Sequence, residues 1–212
     1  MSPLRNPIAL RLRELVPPPG LFVHASTIHG QDHVARVMVY ALLLLEETGM
    51  SEEAVRLWAA VYLHDLARTH DGVCHEHGRN AVLRLDQLPE VRGLFARAGV
   101  QETDYPAIHT AVTQHSIPSE LEATHRHYPL TALLKDADGL DRVRLGDLDP
   151  AYLRFPETHT LVPFAEELYA QTQGKWPVGE DYFEQLWPEV QRMAGLLRQR
   201  IHLTTGTPCD AL

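Results

Sequence analysis

The chain has 212 residues, a formal net charge of -9 and a hydrophobic share of 44%. That balance fits one globular core and argues against duplex DNA as a partner, because DNA is held by clustered Lys and Arg. Cys74 and Cys209 stand far apart with no C-x-x-C pair, so neither a disulfide framework nor a thiolate zinc site is indicated.

Pro7 to Leu15 reads as a short helix stopped by Pro17-Pro18-Pro19-Gly20, with a loop running on to His29. From Gln31 to Thr48, Val37, Tyr40, Ala41 and Leu44 share one helical face, and His33, four residues before Val37, joins it. The longest apolar run, Val37 to Leu45, falls short of the about 20 residues a bilayer span requires. The opening stretch, with Arg5, Arg11, Arg13 and Glu14 scattered through it, has no leader pattern, so a cytoplasmic protein without a membrane partner is expected.

Gly49 ends that helix, and Ser51 is placed to cap the next, with Glu52 and Glu53 in its first turn. There Leu57, Trp58 and Val61 form an apolar stripe, and His64 and Asp65 flank its continuation. Both side chains should point inward, and a buried carboxylate needs a cation or a basic partner. A polar loop, Thr69 to His77, leads into a helix from Gly78 to about Leu88, and a short one follows over Pro89 to Arg97. A helix starting at Thr103 or Asp104 places Ile108, Ala111, Val112 and His115 on one face, with His109 about 120° away from His115.

Pro129 to Leu145 is the next expected helix and carries three carboxylates, Asp136, Asp138 and Asp141, within six residues. Asp136 and Asp138 lie about 200° apart on the wheel and cannot serve one centre; a solvated face accounts for two of the three. Gly146 to Thr160 reads as an irregular rim or lid, Val162 to Thr172 and Asp181 to Ile201 as helices, and Leu203 to Leu212 as a tail. No period-2 strand pattern or repeat appears, so a single all-helical domain is expected.

His33 in H-x-x-R-V, the His64-Asp65 pair and the later Ala137-Asp138, in that order, resemble the HD-domain superfamily of metal-dependent phosphohydrolases. The similarity runs from about Ile28 to Leu145, with a C-terminal helical extension beyond it. It implies an all-α bundle in which His33, His64, Asp65 and Asp138 bind one divalent ion, His64 and Asp65 being central to catalysis. It further implies that His77 and His115 join a second ion; His75 and His109 compete for those places, as Asp136 does for that of Asp138.

Ile-His-Gly-x-x-His also resembles a subgroup pattern, which makes His29 a candidate outer-shell or substrate-binding group, and Arg36, Arg68, Arg79 and Arg142, beside the motifs, are candidates for contacting substrate phosphate. Imidazoles and carboxylates without thiolate suit Mn, Fe, Co, Ni, Mg or Zn. The implied activity is hydrolysis of a phosphoester or phosphoanhydride in a small, nucleotide-like substrate, of nucleotidase or phosphodiesterase type. A di-iron oxygenase and a non-catalytic nucleotide-binding module are the alternatives.

Overall fold

The computed structural model describes residues 3–205, and side chains over residues 3–197. Eight α-helices follow in order: α1 Gln31–Thr48, α2 Ala54–Leu63, α3 His77–Leu85, α4 Pro89–Ala98, α5 Tyr105–His115, α6 Tyr128–Leu140, α7 Pro156–Thr172 and α8 Tyr182–Thr205. Among the described residues there is no strand, and no helix is long and apolar enough to cross a membrane.

The centre of the bundle is α1, α2, α5 and α6. Helix α1 packs on α2 and α6, α5 packs on α2, α3 and α6, α7 packs on α1 and α6, and α8 packs on α7 and α1. Helix α1 is buried on nearly every face, from His33 through Leu45, as its almost unbroken apolar sequence requires. It stops at Gly49, whose backbone takes the left-handed conformation (φ 71°) that favours glycine. Trp58 is buried on α2, and its indole N–H donates to Leu15 O at 3.0 Å, tying the N-terminal segment to the core.

Several expected boundaries change. Pro7 to Leu15 is not a helix but an irregular segment with a 3-10 turn at Leu12–Glu14. Asn6 explains the difference: its side chain accepts from Ile8 N at 2.9 Å and donates to Leu10 O at 3.2 Å, offering the backbone a local alternative to helix. Ser51 does not cap α2 either; Ser51–Glu53 forms a 3-10 turn, and α2 begins after it without a side-chain cap. The 129–145 helix divides into α6 and a 3-10 stretch, Asp141–Leu145, that ends at Gly146.

The fourth change is the largest: α7 begins at Pro156, within the segment expected to be irregular, and continues through Pro163. Its first turn has no cap within its own sequence. Instead Asp136 on α6 accepts from Arg154 N, Phe155 N and the Thr158 hydroxyl, so a remote carboxylate caps the helix. The expected C-terminal tail falls partly in α8, which reaches Thr205, and otherwise lies outside the described residues.

Candidate metal centre

His33 enters near the start of α1, while His64 and Asp65 leave the end of α2, where the chain relaxes into a turn after Leu63. Asp138 comes from the last turn of α6. Their donor atoms meet: His33 Nε2 lies 3.3 Å from His64 Nε2, 3.4 Å from Asp65 Oδ2 and 3.3 Å from Asp138 Oδ1. Asp65 turns its other oxygen to a second group, 3.1 Å from His77 Nε2 and 3.9 Å from His115 Nε2, which are 2.9 Å from each other. One carboxylate thus joins two histidine pairs.

His77 opens α3 and His115 closes α5, so bringing them together requires the two helices to touch. Gly78 permits this contact, since a Cβ there would fall 2.1 Å from Val112 O. Any larger residue would push α3 away from α5 beside both histidines.

The four imidazoles are fixed alike. His33 Nδ1 lies 2.7 Å from Asp141 Oδ2, His64 Nδ1 2.7 Å from Val61 O, His77 Nδ1 2.6 Å from Cys74 O and His115 Nδ1 2.5 Å from Val112 O. An acceptor at each Nδ1 favours the Nδ1–H tautomer of the neutral ring, which turns the Nε2 lone pair into the cluster; without metal, the His33 ring takes a second proton at Nε2. Paired Nε2 lone pairs facing one another beside ionised carboxylates repel unless a cation lies between them. The donor set therefore fits divalent metal, with His33, His64, Asp65 and Asp138 on one side and Asp65, His77 and His115 on the other.

Electrostatics support the same fit. Burial would raise the Asp65 carboxyl, but the imidazoles of His64, His115, His33 and His77 outweigh it and hold Asp65 well below the usual carboxylate range. Asp138 is likewise held ionised against burial by His33. His64 is pushed down to about 3, chiefly by burial, and stays neutral. Burial and Arg144 oppose a proton on His33, yet hydrogen bonds to Asp138, Asp141 and Asp65 prevail and raise it to about 10. A proton on His33 and a divalent cation answer the same surplus of carboxylate charge.

Other sequence candidates lie elsewhere or do other work. His75 is exposed with Nδ1 3.0 Å from Ser116 O, and His109 packs on the Tyr105 ring, its buried Nε2 unpartnered. His29 is buried with its ring edge-on to His33, and burial lowers it to about 4. Arg36 is buried with its guanidinium bound to Asp141 at 2.6 and 3.0 Å, so it faces the core and not a substrate cavity. Arg68 donates to Asp65 Oδ1 at 2.9 Å and steadies that carboxylate. Arg79 is exposed beside Glu76, and Arg142, half-exposed and paired with Asp147, borders a cavity next to Asp138.

The solvated face expected for two of the three carboxylates, Asp136, Asp138 and Asp141, is not found. Asp136 and Asp141 are fully buried, while the side chain of Asp138 is 30% exposed. Asp136 caps α7, and Asp141 orients His33 and neutralises Arg36 and Arg144. Asp141 was missing from the sequence candidates, although Arg36 signalled it: a cation inside the apolar α1 run requires a buried anion.

The family model of the HD domain matches residues 30–143, from the residue preceding α1 into the 3-10 stretch after α6. No curated protein and no solved structure matches the chain significantly. Since the match spans more than half of the sequence and contains all the converging histidines and aspartates, the chain belongs to the HD-domain superfamily of metal-dependent phosphohydrolases.

Proposed function

We propose that the protein hydrolyses a phosphoester or phosphoanhydride bond in a small, nucleotide-like substrate, using divalent metal held by His33, His64, Asp65, Asp138, His77 and His115. What supports this reading most is the arrangement of four imidazoles, each tied back through Nδ1, around the two oxygens of Asp65. When bound there, divalent ions supply positive charge to phosphoryl oxygens and lower the pKa of water from about 15.7 towards roughly 7.

The chain's own part is positioning. Asp65 is shared between the two halves, and Arg68 and the neighbouring imidazoles fix its orientation. Asp141 holds the His33 ring, leaving its Nε2 turned inward. Asp138, more exposed than Asp136 or Asp141, borders the cavity that Arg142 also lines, so substrate approaches the cluster from that side. In the net reaction a water oxygen bonds to phosphorus, the bond from phosphorus to the leaving oxygen breaks, and that oxygen takes up a proton derived from water.

The test is elemental analysis of the purified chain with a phosphate-release screen over nucleotides and sugar phosphates in Mn, Mg, Co, Ni, Zn and Fe. Phosphate release that requires metal and disappears in His64→Ala is expected. Iron-dependent oxygen consumption without phosphate release would replace this reading with an oxygenase.

A further inference from the structure

Next to the cluster lies a cavity of about 380 Å³, within the size range of small-molecule sites. His115 and Asp138 border it, as do Arg142, Glu120, Tyr152 and Arg154. Its walls are two segments with little regular structure, the loop after α5 and the run before α7, and successive residues of α6 anchor one each. Lys135 Nζ donates to Ile117 O, Ser119 O and Glu120 Oε1, each at 3.1 Å. Asp136 accepts from Arg154 N and Phe155 N, both at 2.9 Å.

Glu120 and Arg154 close the ring between these walls. Arg154 donates through Nη2 to Glu120 Oε1 at 2.6 Å and through Nε to Oε2 at 3.0 Å, a two-pronged pair, while its Nη1 reaches Asp136 at 3.0 Å. Tyr152 sits within this frame. Its backbone is pinned on both sides, since Asp149 accepts from Ala151 N at 2.9 Å and Arg154 Nη1 donates to Tyr152 O at 3.0 Å. Yet Tyr152 is 76% exposed. An aromatic ring on a fixed backbone, bordering a cavity and left largely in water, offers a flat face to a planar ligand at little ordering cost.

We propose that Tyr152, Glu120 and Arg154 form a base-recognition subsite: the Tyr152 ring stacks on the heterocycle of a nucleoside phosphate, Glu120 and Arg154 meet its polar edge, and the phosphate lies towards Asp138 and Arg142. This rests on the phosphohydrolase reading and deepens it, since it makes the protein selective for nucleoside phosphates over sugar phosphates without a base.

The experiment compares adenosine 5′-monophosphate with ribose 5-phosphate as substrates of the metal-loaded full chain, in wild type, Tyr152→Ala and Tyr152→Phe. Stacking on an aromatic side chain converts to roughly ten- to hundredfold in affinity. Tyr152→Ala should raise KM for the nucleotide by that factor with a much smaller change in kcat, Tyr152→Phe should restore it, and ribose 5-phosphate should show little of the loss. Equal losses on both substrates, or none on the nucleotide, overturn the subsite. If wild type releases phosphate from neither compound, the phosphohydrolase reading is decided by the wider phosphate-release screen and the subsite by calorimetric binding of the same two compounds: a Tyr152-dependent preference for the nucleotide supports the subsite, and its absence refutes it.

Discussion

On the side of one Asp65 oxygen, His33, His64 and Asp138 are drawn from α1, the end of α2 and α6, and the His33 ring is backed by a buried carboxylate; on the side of the other, His77 and His115 come from α3 and α5 and lean on backbone carbonyls alone. The first half carries two carboxylates and a charge-assisted support, whereas the second has only its share of Asp65 and two imidazoles. Hard divalent ions favour anionic oxygen. The first half should therefore bind metal more tightly, and the second should be the one that empties on dialysis.

The most damaging change is the one that removes what the halves share. Asp65→Ala should release metal from both and lower phosphate release beyond the roughly thousandfold cost of losing a single electrostatic donor. Elemental analysis checks the first claim and a phosphate-release assay the second. Retention of a tightly held ion would mean that the halves do not depend on this carboxylate.

Single histidine removals should then separate the halves. His64→Ala should strip the tighter ion, while His115→Ala should remove only the weaker one and leave the other resistant to dialysis. Isothermal titration of the metal-free protein with Mn reads both affinities. The same weakening from each substitution would erase the proposed asymmetry.

Support from Asp141 is the next step down. Asp141→Asn keeps the size of the side chain but removes the charge that backs His33, and losses of such outer partners weaken metal binding roughly 10–100-fold. His33 itself remains, so metal should still load at higher concentration. Because Arg36 and Arg144 also lean on Asp141, a urea melt of the metal-free protein must accompany the titration, to separate lost affinity from lost fold.

How much of this was legible in the sequence depends on the range of the interaction involved. Helical phase placed His33, His64 and Asp65 on inward faces because those positions follow from the repeat of one element. The resemblance added Asp138, His77 and His115, whose meeting requires α3, α5 and α6 to be packed. Phase also separated Asp136 from Asp138 correctly, but it could not say what lay on the far side. Asp136 looked solvated because its partners, Arg154 to Thr158, come from a segment without a recognisable helix start. The start of α7 was missed for the same reason, since its cap belongs to another helix.

Asp136 therefore supplies the mildest test at the metal and the sharpest contrast with a residue two positions away. It is buried and accepts from two backbone N–H groups, a hydroxyl and a guanidinium, none of them part of the cluster. Asp136→Asn turns an amide N–H towards donors that need an acceptor, and unpaired buried groups of this kind cost about 2–4 kcal/mol. Arg154 keeps Glu120, which holds the loss towards the lower end. The expected result is a clear fall in the urea midpoint with metal content at saturation unchanged. Asp138→Asn should do the reverse, losing metal with a smaller fall in the metal-free midpoint than Asp136→Asn, because its partly exposed carboxylate gives up the ion pair with His33 but supports no backbone. Loss of metal from Asp136→Asn at unchanged stability would exchange the roles of the two aspartates and invalidate the assignment of Asp138 to the tighter half.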